Sequence, residues 1–293
     1  MGARSGILAL LAALLTPDGS GNVLAYQTPQ ALDNSLKYQT TAGANAIGPV
    51  VGSARNVRMQ LTAASANATL TADEVIVETA LGGAPFRLSS INLSINLATT
   101  GAGGMDTGSA PASGYLAIYL IYNPTTNTQA LLGFNATAAA APNVYGGANM
   151  PPGYTASALV SVVPTNSSGQ ILALTQIDRC ISRSSVQVFT TTTTTQSQGV
   201  TSLSIASAVP KNAISVSGTI GITPNNNAPV ISLFSDAQQN GAQISDVWAS
   251  TTVSLTTPYN SLDIFTPQTM YYSWGNTNTN STSYYINITK YKF

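Results

Sequence analysis

Asp73, Glu74 and Glu78 are the one acidic cluster in a chain of ten acidic and ten basic residues. On a strand, Glu74 and Glu78 share a face, with Ile76 between them. Two carboxylates converging at about 5–10 Å would be the equipment of a glycoside hydrolase. The simpler reading is an exposed strand face balanced by Arg55, Arg58 and Arg87, in pairs worth about 0–1 kcal/mol each. Asp236, Asp246 and Asp263 fall on separate segments, and no Asp-x-Asp-x-Asp loop offers oxygen ligands to calcium. The chain has no histidine, so the commonest general base and metal ligand is missing. Its many serines have no His or Ser-x-x-Lys partner to activate them. Cys180 is the one cysteine, which rules out an intrachain disulfide and suits a small buried hydrophobe. These residues predict a protein that is not an enzyme and that holds no cofactor or metal.

Binding chemistry is better represented. Tyr271, Tyr272 and Trp274 lie within four positions, and Tyr284, Tyr285, Tyr291 and Phe293 follow. Flat aromatic side chains bind sugars, so Tyr271, Tyr272 and Trp274 are the receptor candidates. A packed strand core or a subunit interface concentrates aromatics equally well. Nucleic acid is excluded as a partner: the net charge is zero, and no basic stripe exists to neutralise phosphates.

The elements that must carry these residues read as strands. Only 7% of residues are charged, against about 25% in an average domain, while 44% are hydrophobic. Surface helix formers are scarce, and Thr, Val, Ile and Tyr recur between Gly, Pro, Asn and Ser turn signals. The expected fold class is all-β. Two antiparallel, jelly-roll-like β-sandwich domains follow an N-terminal arm that holds a short helix. The arm spans residues 1–54, the first sandwich 55–189, a Thr-rich linker 190–199 and the second sandwich 200–293. In the second sandwich, "AISVSGTIGI" alternates well, with Ser215, Ser217 and Thr219 on one face.

Within the arm, Arg4 precedes an apolar run resembling a secretory leader. The run is too short for a membrane span of about 20 residues, so no membrane insertion is expected. Because the sequence carries Met1, it is read as a buried anchor, a helix stopped by Thr16-Pro17-Asp18-Gly19. Ile7, Leu8, Leu11, Leu14 and Leu15 would be its docking residues, covered by a partner or host assembly.

"YLAIYLIY", Tyr115 to Tyr122, is apolar on both faces. A strand with one wet face alternates, so this one is covered twice, by its partner sheet and by a further layer or a neighbouring subunit. Tyr115, Tyr119 and Tyr122 are therefore candidate subunit-interface residues. Asn123-Pro124 ends the strand, because proline gives no donor to the ladder.

Four motifs in fixed order carry a family resemblance: Met105-Asp106-Thr107-Gly108, Asn123-Pro124-Thr125-Thr126, Pro152-Gly153-Tyr154-Thr155, and Gln176 to Arg179. Together they resemble a module of tailed-bacteriophage tail fibres and related virion appendages. The likeness spans about residues 60–293, and "TPDGSGNVLAYQTPQ" extends it loosely into the arm. The chain departs from the pattern at Asn143–Asn149, read as an inserted surface loop, and at Cys180-Ile181. The resemblance implies a structural or receptor-binding homotrimer on the virion surface, docked to other virion proteins and able to touch a host surface glycan. A tailspike-type polysaccharide depolymerase and a bacterial surface adhesin are the alternative readings.

Overall fold

The computed structural model of the protein describes residues 50–247 and 250–293. The expected helix and the anchor residues Ile7, Leu8, Leu11, Leu14 and Leu15 lie outside the described residues. Among the described residues the protein is all-β, without a helix, and forms two antiparallel sheets of twelve and four strands.

In chain order the strands are β1 (Ala54–Arg55), β2 (Arg58–Leu61), β3 (Asn67–Glu78), β4 (Pro85–Asn96), β5 (Tyr115–Asn123), β6 (Thr128–Asn135), β7 (Ala156–Pro164) and β8 (Leu174–Ile177). They continue as β9 (Cys180–Thr193), β10 (Ser197–Ser204), β11 (Ser215–Thr223), β12 (Val230–Phe234), β13 (Gln243–Asp246), β14 (Leu255–Asp263), β15 (Thr269–Gly275) and β16 (Thr282–Lys292). The large sheet runs β14-β11-β16-β9-β8-β2-β3-β7-β5-β6, with β1 and β4 also on β3. The small sheet runs β10-β15-β12-β13.

The threonine run behaves differently from the expected linker. Thr190 to Thr193 complete β9 and pair in register with Tyr285, Tyr284, Ser283 and Thr282 of β16. Threonine is β-branched and fits a pleated ladder as readily as an extended connector. A run of one residue type has no period to tell the two apart. Strand β9 also pairs with β8, so the large sheet crosses the expected division between sandwiches. Residues Pro49–Phe293 form one compact unit.

Both faces of β5 are covered, and the cover comes from the chain itself. Leu116, Ile118 and Leu120 face β4: Leu116 and Ile95 of β4 meet at Gly133 of β6, beside Met105. On the other face the Tyr119 hydroxyl donates to the Pro142 carbonyl at 2.8 Å, and its ring meets Tyr145 and Phe134 edge-on. The Tyr115 hydroxyl donates to the Ala206 carbonyl at 2.8 Å, and Tyr291 of β16 donates to the Val162 carbonyl of β7. Tyr115 and Tyr119 are thus buried within one chain, at 6% and 0% exposure, which removes them as subunit-interface residues. Tyr122 is half-buried against Phe86, and its hydroxyl is held by Asn127. The stretch Asn143–Asn149 is a surface loop, with Asn143, Gly146, Ala148 and Asn149 exposed, that contributes one ring to this cover. Its Tyr145 is buried, and Asn143 accepts from the Leu159 amide of β7.

Sheet edges are closed by local chemistry. Gly103 and Asp106 donate to the Leu131 and Gly133 carbonyls, so the Met-Asp-Thr-Gly segment lines the free edge of β6. Edge strand β14 carries Pro258, which has no amide to offer a second chain.

Candidate binding surface

Asp73, Glu74 and Glu78 are each engaged structurally. The Asn56 amide donates to Asp73, and Glu74 pairs with Arg87 at 3.7 Å on the surface. Glu78, only 6% exposed, accepts the Gly82 amide at 3.0 Å and so closes the β3–β4 hairpin. No group of three His, Cys, Asp or Glu that could hold a metal occurs among the described residues. Cys180 is half-buried, with a free thiol.

The four motif stretches form a framework of caps. Asn123 Oδ1 accepts the amides of Thr125 and Thr126, fixing the hairpin after β5. Gly153, at φ +82°, lies against the Asn123 side-chain amide, while Thr155 donates to the Tyr122 carbonyl. Asp106 accepts the Tyr145 hydroxyl at 2.8 Å. Gln176 is wholly buried and accepts from Ser161 at 2.7 Å. Its amide donates to the Val160 carbonyl at 2.8 Å and the Asp178 carbonyl at 2.7 Å. Val160 is the residue skipped where the β5–β7 register shifts, so Gln176 satisfies a carbonyl that the bulge strands. Arg179 packs 5.0 Å over the Phe293 ring and donates to its carbonyl at 2.9 Å. Burial holds its pKa below the usual arginine value. Replacing Gly153 with alanine forces φ > 0 on a residue with a Cβ and pushes that carbon into Asn123. Urea denaturation should register a loss of about 1–3 kcal/mol.

The receptor candidates do not share a surface. Tyr272 and Trp274 turn inward from β15 and stack, 5.7 Å apart at 19°, and Trp274 stacks on Tyr284 of β16 at 5.4 Å and 22°. Phe189 of β9 packs 4.5 Å from Tyr272. This column joins the small sheet to the large one. Tyr271 lies on the opposite face of β15, half-exposed beside Ser202 and Phe234. Packing, not display, thus accounts for Tyr272 and Trp274.

The outward aromatic is Tyr285, one residue along from the inward Tyr284. It stands in register with Gly221 of β11 and Thr190 of β9. A Cβ on Gly221 would overlap the Tyr285 ring at Cζ, Cε1 and Cε2, so the ring lies flat over the glycine. Its hydroxyl shares a hydrogen bond with Thr256 of β14 at 2.5 Å. The row on one side holds Gln187, Asn287 and Thr219, and the row on the other holds Thr192, Ser283 and Thr223. The sequence signal for this site is the strand-interior Gly221, which marks a close approach by another group.

No known protein family matches the chain, and no curated protein does. Among solved structures, the insecticidal delta-endotoxin Cry8Ea1 from Bacillus thuringiensis aligns with 87% of this chain and 55% of its own, at TM-score 0.25 and 9% identity. A Bacillus thuringiensis Cry1Da tryptic core variant aligns with 84% and 54%, at TM-score 0.21 and 7% identity. The chain spans about half the length of either, and likeness of this degree carries no functional argument.

The buried tyrosines set the pH response. Burial pushes Tyr115, Tyr145 and Tyr284 up to about 12 from 10.0, with the hydrogen bond to Asp106 adding to the rise at Tyr145. Burial also raises Tyr119, Tyr259 and Tyr291 well above the ordinary value. A raised folded-state pKa means that the unfolded chain ionises first. Stability from these groups is whole below about pH 10 and is lost as pH climbs towards 12. Tyrosinate absorbance and circular dichroism should therefore change together in that interval. Smooth ionisation of every tyrosine at pH 10 with the sheets intact would contradict the burial.

Proposed function

We propose that the chain is a non-enzymatic structural component of a tailed-bacteriophage particle, a tail fibre, spike or collar appendage that docks through its N-terminal arm. What supports the reading is the mutual packing of the motifs behind the resemblance. The segment starting at Met105 closes β6, Asn123 meets Gly153, and Gln176 braces β7. They act as one framework around β5 rather than as scattered short matches. The structural engagement of Asp73, Glu74 and Glu78 favours a scaffold over a depolymerase.

The protein assembles as a homotrimer on the particle surface, with other virion proteins as neighbours. Because β5 is enclosed, contact between copies falls on other surfaces. Phe265 is 86% exposed and Ile214 52%, and the Ile264 amide donates to the Ile214 carbonyl, bringing the two to one end of the sheet. The test is mass spectrometry of gradient-purified particles released by the host. Peptides of this chain should co-purify with the capsid proteins in a copy number that is a multiple of three. Their absence from the particle fraction, with the chain present in the cell lysate, would overturn the proposal.

A further inference from the structure

We infer that the outer face of β9-β16-β11-β14, centred on Tyr285, binds a neutral saccharide. This deepens the appendage reading and rests on it, but it moves the contact surface away from Tyr271, Tyr272 and Trp274. Three features of the face combine. The first is the ring itself. Held flat by Gly221 beneath and Thr256 at its hydroxyl, Tyr285 stays half-exposed with one π-face turned outward. The C–H face of a pyranose packs on such a surface, and a ring already fixed in place loses little entropy on binding.

The second is the polar frame. Thr190, Gln187 and Thr192 of β9 are exposed, as are Thr223 and Thr256, while Asn287, Ser283 and Thr219 are half-exposed. The hydroxyls and amides of the frame can both donate and accept, as sugar hydroxyls require. Some are already set by partners: Thr192 and Ser283 at 2.7 Å, Thr223 and Ser254 at 3.0 Å, and Asn287 to Thr219 at 3.4 Å. The spacing between strands is about 4.8 Å, so the frame repeats on the scale of a sugar ring.

The third is charge. None of these residues is ionisable apart from the tyrosine hydroxyl. The nearest basic side chain in the register, Lys290, pairs with Ser217, one row beyond Asn287 and Thr219, and Lys292 lies further along β16. An acidic glycan or a nucleic acid would find no counter-charge in the frame, whereas a neutral sugar loses no ionic hydration there. Flatness and polarity also argue against a second copy of the chain, which would need an apolar centre.

The experiment applies the full chain to an array of neutral and uronic-acid oligosaccharides. Affinity for the best neutral one is then measured by titration calorimetry. Binding to at least one neutral saccharide is expected. Tyr285→Ala and Thr219→Lys should weaken it more than tenfold, and Tyr285→Phe, which keeps the ring, less than threefold. The melting temperatures of the variants separate lost binding from lost folding. The inference is overturned if no neutral saccharide binds, if a folded Tyr285→Ala binds as the parent does, or if only uronic-acid glycans bind. A chain found in particles yet blind to every saccharide would leave the appendage standing and remove the platform.

Discussion

Gln176→Ala is expected to destabilise the protein by about 3–5 kcal/mol, through the polar groups it abandons rather than the volume it removes. Gln176 has 0% exposure and answers two buried groups, the Ser161 hydroxyl and the Val160 carbonyl, and a third at the surface, the Asp178 carbonyl. Each buried group left without a partner costs about 1–3 kcal/mol. Ser161→Ala should cost much less, about 1 kcal/mol, because Gln176 keeps both carbonyls. In a double-mutant cycle the two losses should fall short of additive, since the residues share one bond. Chemical denaturation of the four proteins measures this. Equal losses for Gln176→Ala and Ser161→Ala would mean that the bulge carbonyl at Val160 is not served as described.

Tyr119→Ala is the second large effect, expected at about 3–5 kcal/mol. The ring fills the space between β5 and the Pro142–Tyr145 segment, meeting Tyr145 at 5.4 Å and Phe134 at 6.4 Å. Truncation leaves a cavity and strands the Pro142 carbonyl, which Tyr119 serves at 2.8 Å. Tyr119→Phe keeps the ring and loses only that bond, for about 1–1.5 kcal/mol. The pair also separates two accounts of β5. If Tyr119 lies inside one chain, Tyr119→Ala lowers the unfolding midpoint equally at every protein concentration. If it lay between subunits, light scattering would find a smaller assembly, and the loss in midpoint would change with concentration.

Much of this architecture is legible in residue types and their spacing. The scarcity of charge and the recurrence of Thr, Val, Ile and Tyr between turn signals point to an all-β chain, and Tyr115–Tyr122 announces a doubly covered strand. What covers it cannot be read there, because burial on two faces says nothing about which segment returns. The cover comes from Tyr145, Pro142 and Ala206, all in irregular backbone with no period to detect. The Thr190–Thr193 segment is a strand rather than a linker for a related reason: register with β16 decides its state, and register is a long-range property. The aromatic site is legible in type but not in side. Tyr284 and Tyr285 are neighbours, and only the pleat sends one to the core and the other outward. Gly221 holds the clue, but its partner lies far along the chain.

The most direct measurement of the central claim, that this chain is an external part of a phage particle, is immunogold electron microscopy of intact particles with antibody raised to the full protein. Gold at a tail, spike or collar appendage is the predicted result. Particles that stay unlabelled while the same antibody detects the chain free in the lysate would contradict it.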